Sequence, residues 1–519
     1  MLTARLIEDN RFLIVEGNPD ELAHVRMEFT KKINNWYIIK SKNKDANVDE
    51  SFMNNVGMIP VGLWVELINA CKKFNYVLTF YSDFEDRTRD MSVTYDGFKE
   101  YVDNLFSKSG MTLREYQIQG AFNMLSYKNC CVEISTSGGK TVISYVLFRY
   151  MIDVLKLKHI LFVTPKTNLT TQSADKFILY DKDNQIESNW THSEIHADAK
   201  KKKVYDDNIV FGNYQSLRSK KPEFFDQFDA VILDEAHHGQ NRSCRTIVKK
   251  CRNVKYKIGM TGTFPDDGSY DSFVLQSYFG PVVFRFTSYE LINVEKFATP
   301  VHVTMVGLKY LDEEKNKALF DLRNVSKKDD PTIGNKILNE EKVQVRKDPK
   351  RFSFIVNMIS KVTKNTLVLF SDIQNEYGRN VYTSLKENTT KDVFYIDGNI
   401  ATSTRQKMID SMENDLSGNT IIVASIQCFS EGIDIANMWN IFLIETTKSE
   451  NTIAQILGRG MRRFEGKEKT MMIDFIDDFR YGGGFFSENY LWKHGMDRMS
   501  IYQKRGFPCN LISVDLNEK

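Results

Sequence analysis

The residues with the clearest chemical promise are a run of small side chains ending in a cation and a hydroxyl, Ser135-Thr136-Ser137-Gly138-Gly139-Lys140-Thr141. The run comes after a short apolar stretch, 130–134, and precedes a helical pattern that begins near Val142. A turn from strand into helix aims unpaired backbone N–H groups at an anion, and small residues let that backbone wrap a phosphate closely. Lys140 would then reach the β- and γ-phosphates of a nucleotide, and the Thr141 hydroxyl would bind Mg²⁺. Ile134 stands where the usual phosphate loop has its first Gly, and Ser137 replaces a small Gly. Alone, the run also fits a Ser/Gly-rich surface turn.

The second group is Asp234-Glu235-Ala236-His237. The apolar stretch 230–233 reads as a buried strand, so both carboxylates stand at its carboxyl end, where ligands bind in open α/β sheets. Consecutive side chains leave a strand end in different directions, so Asp234 is expected to hold the metal shell and Glu235 to act as general base on a water. An Asp-Glu pair ending a strand is also an ordinary solvated turn, but a Gly-Lys-Thr about ninety residues upstream favours a paired site. No carboxylate or cysteine cluster is spaced to make metal ligands of His237 and His238, and His238 reads as an exposed loop histidine.

Such groups need sheets to hold them. Nearly continuous apolar runs at 160–163, 230–233, 366–370, 420–424 and 441–444 read as parallel strands covered on both faces, with helical patterns between them. They fall into two sets, which predicts an α/β chain with two parallel-sheet domains in tandem, 109–298 and 299–519, the second including a charged, surface-lying helical segment at 312–350. Residues 1–108 carry no phosphate loop and read as a small α+β accessory domain. At about 150 residues per domain, 519 residues suit this division. The apolar stretch 142–155 contains Arg149 and Asp153 and reads as a buried helix; no membrane segment is expected.

Seventy Lys+Arg against sixty-eight Asp+Glu give a net charge of +2, so any polyanion-binding surface must come from local segregation. The seven cysteines include no CxxC pair, which disfavours a disulfide framework or zinc site and suits a reducing compartment. Lys200, Lys201, Lys202 and Lys203 form the densest basic run, and Lys249, Lys250, Arg252, Lys255 and Lys257 a second; such runs neutralise phosphates or simply form solvated faces. Phe485 and Phe486 after Gly482-Gly483-Gly484 suit a loop stacking on bases, or one pinned to its own domain.

With these groups and the order of the flanking motifs along the chain, the sequence resembles superfamily 2 helicases over about residues 110–480. Leu113-Arg114-Glu115-Tyr116-Gln117 resembles the motif ahead of the phosphate loop, implying nucleotide contacts from Arg114 and adenine recognition by Gln117. Thr164-Pro165 with Gln172, and Gly212-Asn213-Tyr214-Gln215-Ser216, resemble motifs that contact a nucleic-acid strand, as do Ser371 and Ser425 in the second domain. Thr261-Gly262-Thr263 is similar to the motif that couples nucleotide state to closure, and gives His237 a coupling role beside Thr261 and Thr263. Glu431-Gly432-Ile433-Asp434 places Gly432 and Asp434 near the nucleotide. Gln455-Ile456-Leu457-Gly458-Arg459-Gly460-Met461-Arg462 is similar to QxxGRxxR, implying a nucleotide contact from Gln455 and fingers, Arg459 and Arg462, on the γ-phosphate. The resemblance implies two RecA-like motor domains, ATP and Mg²⁺.

Beyond the shared core, Gly57-Met58-Ile59-Pro60-Val61-Gly62-Leu63 and Tyr490-Leu491-Trp492-Lys493-His494-Gly495-Met496-Asp497-Arg498 resemble the recombination and repair helicases of T-even bacteriophages. That implies a monomer in the host cytoplasm that remodels branched or forked DNA, regressing forks, migrating Holliday junctions and dissociating D-loops and R-loops, so RNA–DNA hybrids are also expected substrates. It links the N-terminal domain to nucleic-acid binding, although 42–50 is polar and partly acidic where those relatives are aromatic and basic. The rival expectations are a duplex-DNA translocase or RNA helicase and, from another class, a nucleic-acid binding or annealing protein with weak ATPase.

Overall fold

The computed structural model describes residues 1–7, 11–34, 36, 39–40, 43, 45–197, 199, 205–240, 242–324, 333–371, 373–374, 376–430, 435–482 and 487–518. They form two compact units, Met1–Phe286 and Thr287–Lys519, so the division falls at 286/287 and not at 298.

The first unit opens with β1 (Leu2–Ile7), β2 (Phe12–Glu16), α1 (Pro19–Glu28), an antiparallel ribbon of β3 (Thr30–Lys32) and β4 (Asp49–Ser51), β5 (Met58–Pro60), α2 (Trp64–Lys73) and β6 (Leu78–Phe80). A mixed four-stranded sheet, β5-β2-β1-β6, buries Leu2, Ala4, Leu13 and Val15 at alternate positions, as the period of two demands. The accessory domain ends earlier than 108. Helix α3 (Tyr95–Leu105) places Phe98 and Val102, one turn apart, in the same core as the motor sheet.

That sheet comprises β7 (Asn129–Ile134), β8 (Ile160–Thr164), β9 (His192–Ile195), β10 (Ile209–Asn213), β11 (Ala230–Leu233), β12 (Tyr256–Thr261) and β13 (Val282–Phe286), all parallel, in the order β13-β7-β12-β11-β8-β10-β9. Its covering helices include α4 (Glu115–Ser126), α5 (Lys140–Asp153), α6 (Thr167–Asp183), α7 (Arg242–Lys250) and α8 (Tyr270–Phe279). As the apolar pattern predicts, α5 is buried from Val142 to Met151, and the buried Arg149 pairs with Asp153 and Asp181. The accessory domain is built onto α8: Phe273 lies in the accessory core against Phe29 and Phe52, Glu66 accepts from Gln276 Nε2 at 2.9 Å, and a Cβ on Gly62 would sit 1.9 Å from the Gln276 carbonyl.

The second unit contains β14 (Val301–Lys309), α9 (Glu313–Asn324), α10 (Ile333–Lys347), α11 (Pro349–Ser360), β15 (Thr366–Phe370), α12 (Tyr377–Asn388), β16 (Asp392–Ile396), α13 (Thr402–Glu413), β17 (Thr420–Ser425), β18 (Asn440–Leu443), α14 (Glu450–Gly460), β19 (Thr470–Asp477), α15 (Tyr490–Lys504) and β20 (Cys509–Asp515). Its sheet, β16-β17-β15-β18-β19-β14-β20, is again all parallel. Within the charged 312–350 segment, the helices α9 and α10 are not confined to the surface. Arg323 and Glu341 form a buried pair at 3.2 Å, and Glu341 accepts the N–H groups of Tyr490 and Leu491, capping α15. Buried Arg351–Asp477 and Arg498–Asp474 pairs extend this pattern. Among the described residues no helix is long and apolar enough to cross a membrane.

Candidate nucleotide and nucleic-acid site

The phosphate-loop segment begins where β7 stops. Ile134 is the last strand residue and fully buried, so its replacement of the usual Gly is absorbed by the sheet and the turn starts at Ser135. Gly138 N–H donates to the Ser135 carbonyl at 2.8 Å, closing the turn. A Cβ on Gly138 would lie 2.9 Å from both Ile134 Cγ2 and the Ser135 oxygen, so only glycine fits. Ser137 and Gly139 have φ of 70° and 82°, in the left-handed region, which glycine adopts freely and serine does not. Helix α5 then starts at Lys140, presenting its first N–H groups to the loop.

The motif ahead of the loop is fastened to it. The Tyr116 hydroxyl donates to the Gly138 carbonyl at 3.0 Å while its ring stacks on Phe286. Gln117 is buried, accepts from Arg114 N–H at 2.9 Å and points its Nε2 at the Gly138 carbonyl, 3.4 Å away. A polar chain links the catalytic candidates: Lys140 Nζ lies 3.4 Å from Glu235 Oε1, Glu235 Oε2 lies 3.3 Å from His237 Nδ1, and His237 Nδ1 is hydrogen-bonded to Thr261 Oγ1 at 2.9 Å. Thr261 Oγ1 donates to the Thr263 carbonyl at 2.9 Å, so both threonines join the chain. Gly262 lies against its other end: a Cβ there would stand 3.0 Å from Lys140 Nζ and from Thr136 Oγ1.

Burial, and then the charge of Glu235 beside it, push the Asp234 carboxyl upward. Burial pushes Glu235 up as well, but Lys140 and His237 outweigh it and hold Glu235 well below the usual carboxylate range. Glu235 is therefore the standing carboxylate of the pair, and its φ of 51° marks a strained backbone at this turn. His238 is half-buried, not the exposed histidine expected, because it packs against Tyr214 and His237; burial and the neighbouring His237 push it down to about 4.

The strand-contact candidates divide by exposure. Gln172 and Gln215 are exposed and Pro165 is half-buried, all positioned after β8 and β10, which lie on the same side of β11. Thr164 has no exposed surface; its hydroxyl meets Thr170 Oγ1 at 2.7 Å, so it shapes the loop and does not face a strand. Ser425 is likewise fully buried, with Cys428 N–H donating to it at 3.3 Å. For these two, the expected direct contact is corrected to a supporting place. Ser371 is exposed, and both its N–H and its hydroxyl donate to Glu445 Oε2, at 2.8 and 3.2 Å. Arg459 is half-buried over the Phe429 ring and donates to the Phe429 carbonyl; Arg462 and Gln455 are half-buried nearby on α14 and just after it.

Gly432 and Asp434 lie outside the described residues, as do Lys200 to Lys203 and Phe485 and Phe486. In the second basic run, Lys249, Arg252 and Lys255 are exposed, whereas Lys250 donates to the Arg218 carbonyl at 2.8 Å. Sequence reasoning missed Tyr214, whose hydroxyl donates to the Asp234 carbonyl at 3.1 Å and joins the 212–216 motif to the carboxylates. It also missed Gly262, whose only signal was its place between two threonines.

Residues 110–266 match the family described as type III restriction enzyme, res subunit, and residues 350–464 match the helicase conserved C-terminal domain. Both matched domains are helicase-type, and the chain is similar to superfamily 2 helicases. It is 27% identical over 474 residues, 88% of each chain, to the ATP-dependent DNA helicase uvsW of Enterobacteria phage T4. It is 24% identical over 386 residues, 71% of this chain and 52% of the other, to the putative ATP-dependent helicase IRC3 of Saccharomyces cerevisiae. Among solved structures, a fragment of a putative HsdR subunit of a type I restriction enzyme from Vibrio vulnificus YJ016 aligns with a TM-score of 0.53 at 18% identity, over 81% of this chain and 72% of that one, a likeness of fold. These similarities support an ATP-dependent helicase that acts on nucleic acid.

Proposed function

We propose that the chain is a DNA helicase or translocase that uses Mg-ATP to remodel branched DNA in recombination, repair and replication, acting as a monomer. The observation that carries this is the likeness to the phage DNA helicase, 27% over 88% of both chains. In this reading the N-terminal domain binds nucleic acid, and Gln172, Gln215, Pro165 and Ser371 contact a strand.

Lys140 and the loop N–H groups hold the triphosphate, and Arg114, Gln117 and Gln455 contribute to nucleotide contact. The residues fit Mg²⁺ in their donor chemistry: Asp234 and Glu235 are adjacent half-buried carboxyls at the end of β11, and Thr141 offers a hydroxyl in the first turn of α5. Mg²⁺ held by Thr141 and Asp234 supplies charge neutralisation on the phosphates. Glu235 orients and deprotonates the attacking water, and binding of ATP draws Lys140 off it toward the phosphates. Arg459 and Arg462 stabilise charge on the γ-phosphate, with Thr261, Thr263 and His237 coupling nucleotide state to strand contact.

The test is ATP turnover and strand displacement across single strands, duplex DNA, duplex RNA, fork, four-way junction and R-loop, with Lys140→Ala as control. Turnover stimulated most by fork and junction, and absent in Lys140→Ala, supports the proposal. Highest activity on duplex RNA, or stimulation without any displacement, would assign an RNA helicase or a duplex translocase instead.

A further inference from the structure

Two charged side chains that the ATP chemistry leaves unused grip a single peptide in the second unit. Ala436 stands two residues after Asp434. The N–H groups of Ala436 and Asn437 both donate to Glu413 Oε2, at 2.8 and 3.1 Å, from the last residue of α13. The Ala436 carbonyl accepts from Lys467 Nζ at 3.0 Å, in the turn between α14 and β19 and five residues after Arg462. Asn437, itself buried, donates to the carbonyls of Met412 and Asp415, at 3.1 and 2.8 Å, and fixes the same peptide from below.

A carboxylate on the N–H and an ammonium on the carbonyl are charge-assisted bonds, stronger than the neutral bonds that ordinarily finish a loop. Lys467 is only 8% exposed, so holding it there costs desolvation and side-chain entropy that an ordinary surface turn does not incur. Burial pushes its ammonium down to about 7, with Glu413 of α13 opposing the shift and Arg462, just beyond α14, adding to it. Lys467 therefore lies within electrostatic reach of both Glu413 and Arg462.

We infer that Glu413 and Lys467 are positioning residues that tie the Ala436-Asn437 peptide to the turn that carries Arg462, so that the placement of this arginine depends on that grip. This rests on the ATP-driven motor proposed above and adds a device that places one of its fingers.

The experiment measures kcat and KM for ATP at saturating forked DNA, with melting temperatures, for wild type, Lys467→Met, Glu413→Gln and the double variant. Each single change lowers kcat about tenfold with KM for ATP changed less than about twofold, and the double variant falls no further, because one device is broken once. Singles within about twofold of wild type, or losses that multiply in the double, overturn the inference. Should Lys467→Met melt too low to assay, the pH profile decides. Wild-type kcat inflects near Lys467's value of about 7, and in Glu413→Gln the inflection moves down as the counter-charge is removed. An inflection that stays in place overturns the inference. Wild type unaffected by any DNA would instead overturn the motor reading.

Discussion

Taken from β13 to β9 and from β20 to β16, the two seven-stranded sheets have one and the same plan: seventh strand, first, sixth, fifth, second, fourth, third. What differs is the chemistry at matching strand ends. After its first strand, the first sheet makes the tight 135–141 turn into α5, whereas the second runs into the helical pair α9 and α10. After its fifth strand, the first sheet carries Asp234-Glu235 and the second Ile444-Glu445. Glu235 faces a lysine at 3.4 Å that a phosphate can draw away, while Glu445 is closed in by Arg346 at 2.9 Å and by Ser371. One scaffold thus yields a site where the loop leaves backbone N–H groups open, and a structural lock where helices fill the same place.

Changes on either side break or sharpen this contrast. The largest effect is expected from Arg462→Ala, with nucleotide affinity nearly unchanged and turnover lowered about 10³-fold or more in single-turnover assays, since a finger acts in the transition state. A reversed pattern, with affinity lost and turnover kept, would remove that arginine from the chemistry. Glu235→Gln is expected to keep nucleotide binding and lose about 10²- to 10⁴-fold in turnover. Its counterpart Glu445→Gln should do the opposite, lowering unfolding free energy by about 2–4 kcal/mol because Arg346 loses its counter-charge, with turnover per folded molecule within about threefold. If both variants lost turnover alike, the contrast between the sheets would fail.

Much of the first site was legible because its parts are contiguous: 135–141 and 234–237 each carry residue type, spacing and strand context in one short string. The fold class was legible from continuous apolar strands for the same reason. Partners distant in sequence were not. Nothing near Glu413 announces Lys467, and Phe273 reads as an ordinary helix residue although it completes the accessory core. The 108 boundary erred because Phe98 and Val102 give an amphipathic helix without saying which sheet it covers. Thr164 and Ser425 erred because a motif string records which residues recur at a strand end, and burial decides which face outward.

Two smaller effects sharpen the contrast inside the first site. Gly262→Ala places a methyl against Lys140 Nζ and Thr136, and should lower turnover about tenfold, about 1.4 kcal/mol, by displacing the lysine tip; unchanged turnover would show that the tip simply moves aside. Ser137→Gly relieves a left-handed serine and should stabilise the fold by up to about 1 kcal/mol in thermal melts, partly offset by added freedom in the unfolded chain; a clear loss of stability would contradict the strain.

The number of nucleotides bound per chain tests the contrast between the sheets most directly. Calorimetric titration with a non-hydrolysable ATP analogue should give about one site in the wild type and none in Lys140→Ala, because only the first sheet builds a phosphate cradle. A second equivalent, or a full one that survives Lys140→Ala, would contradict it.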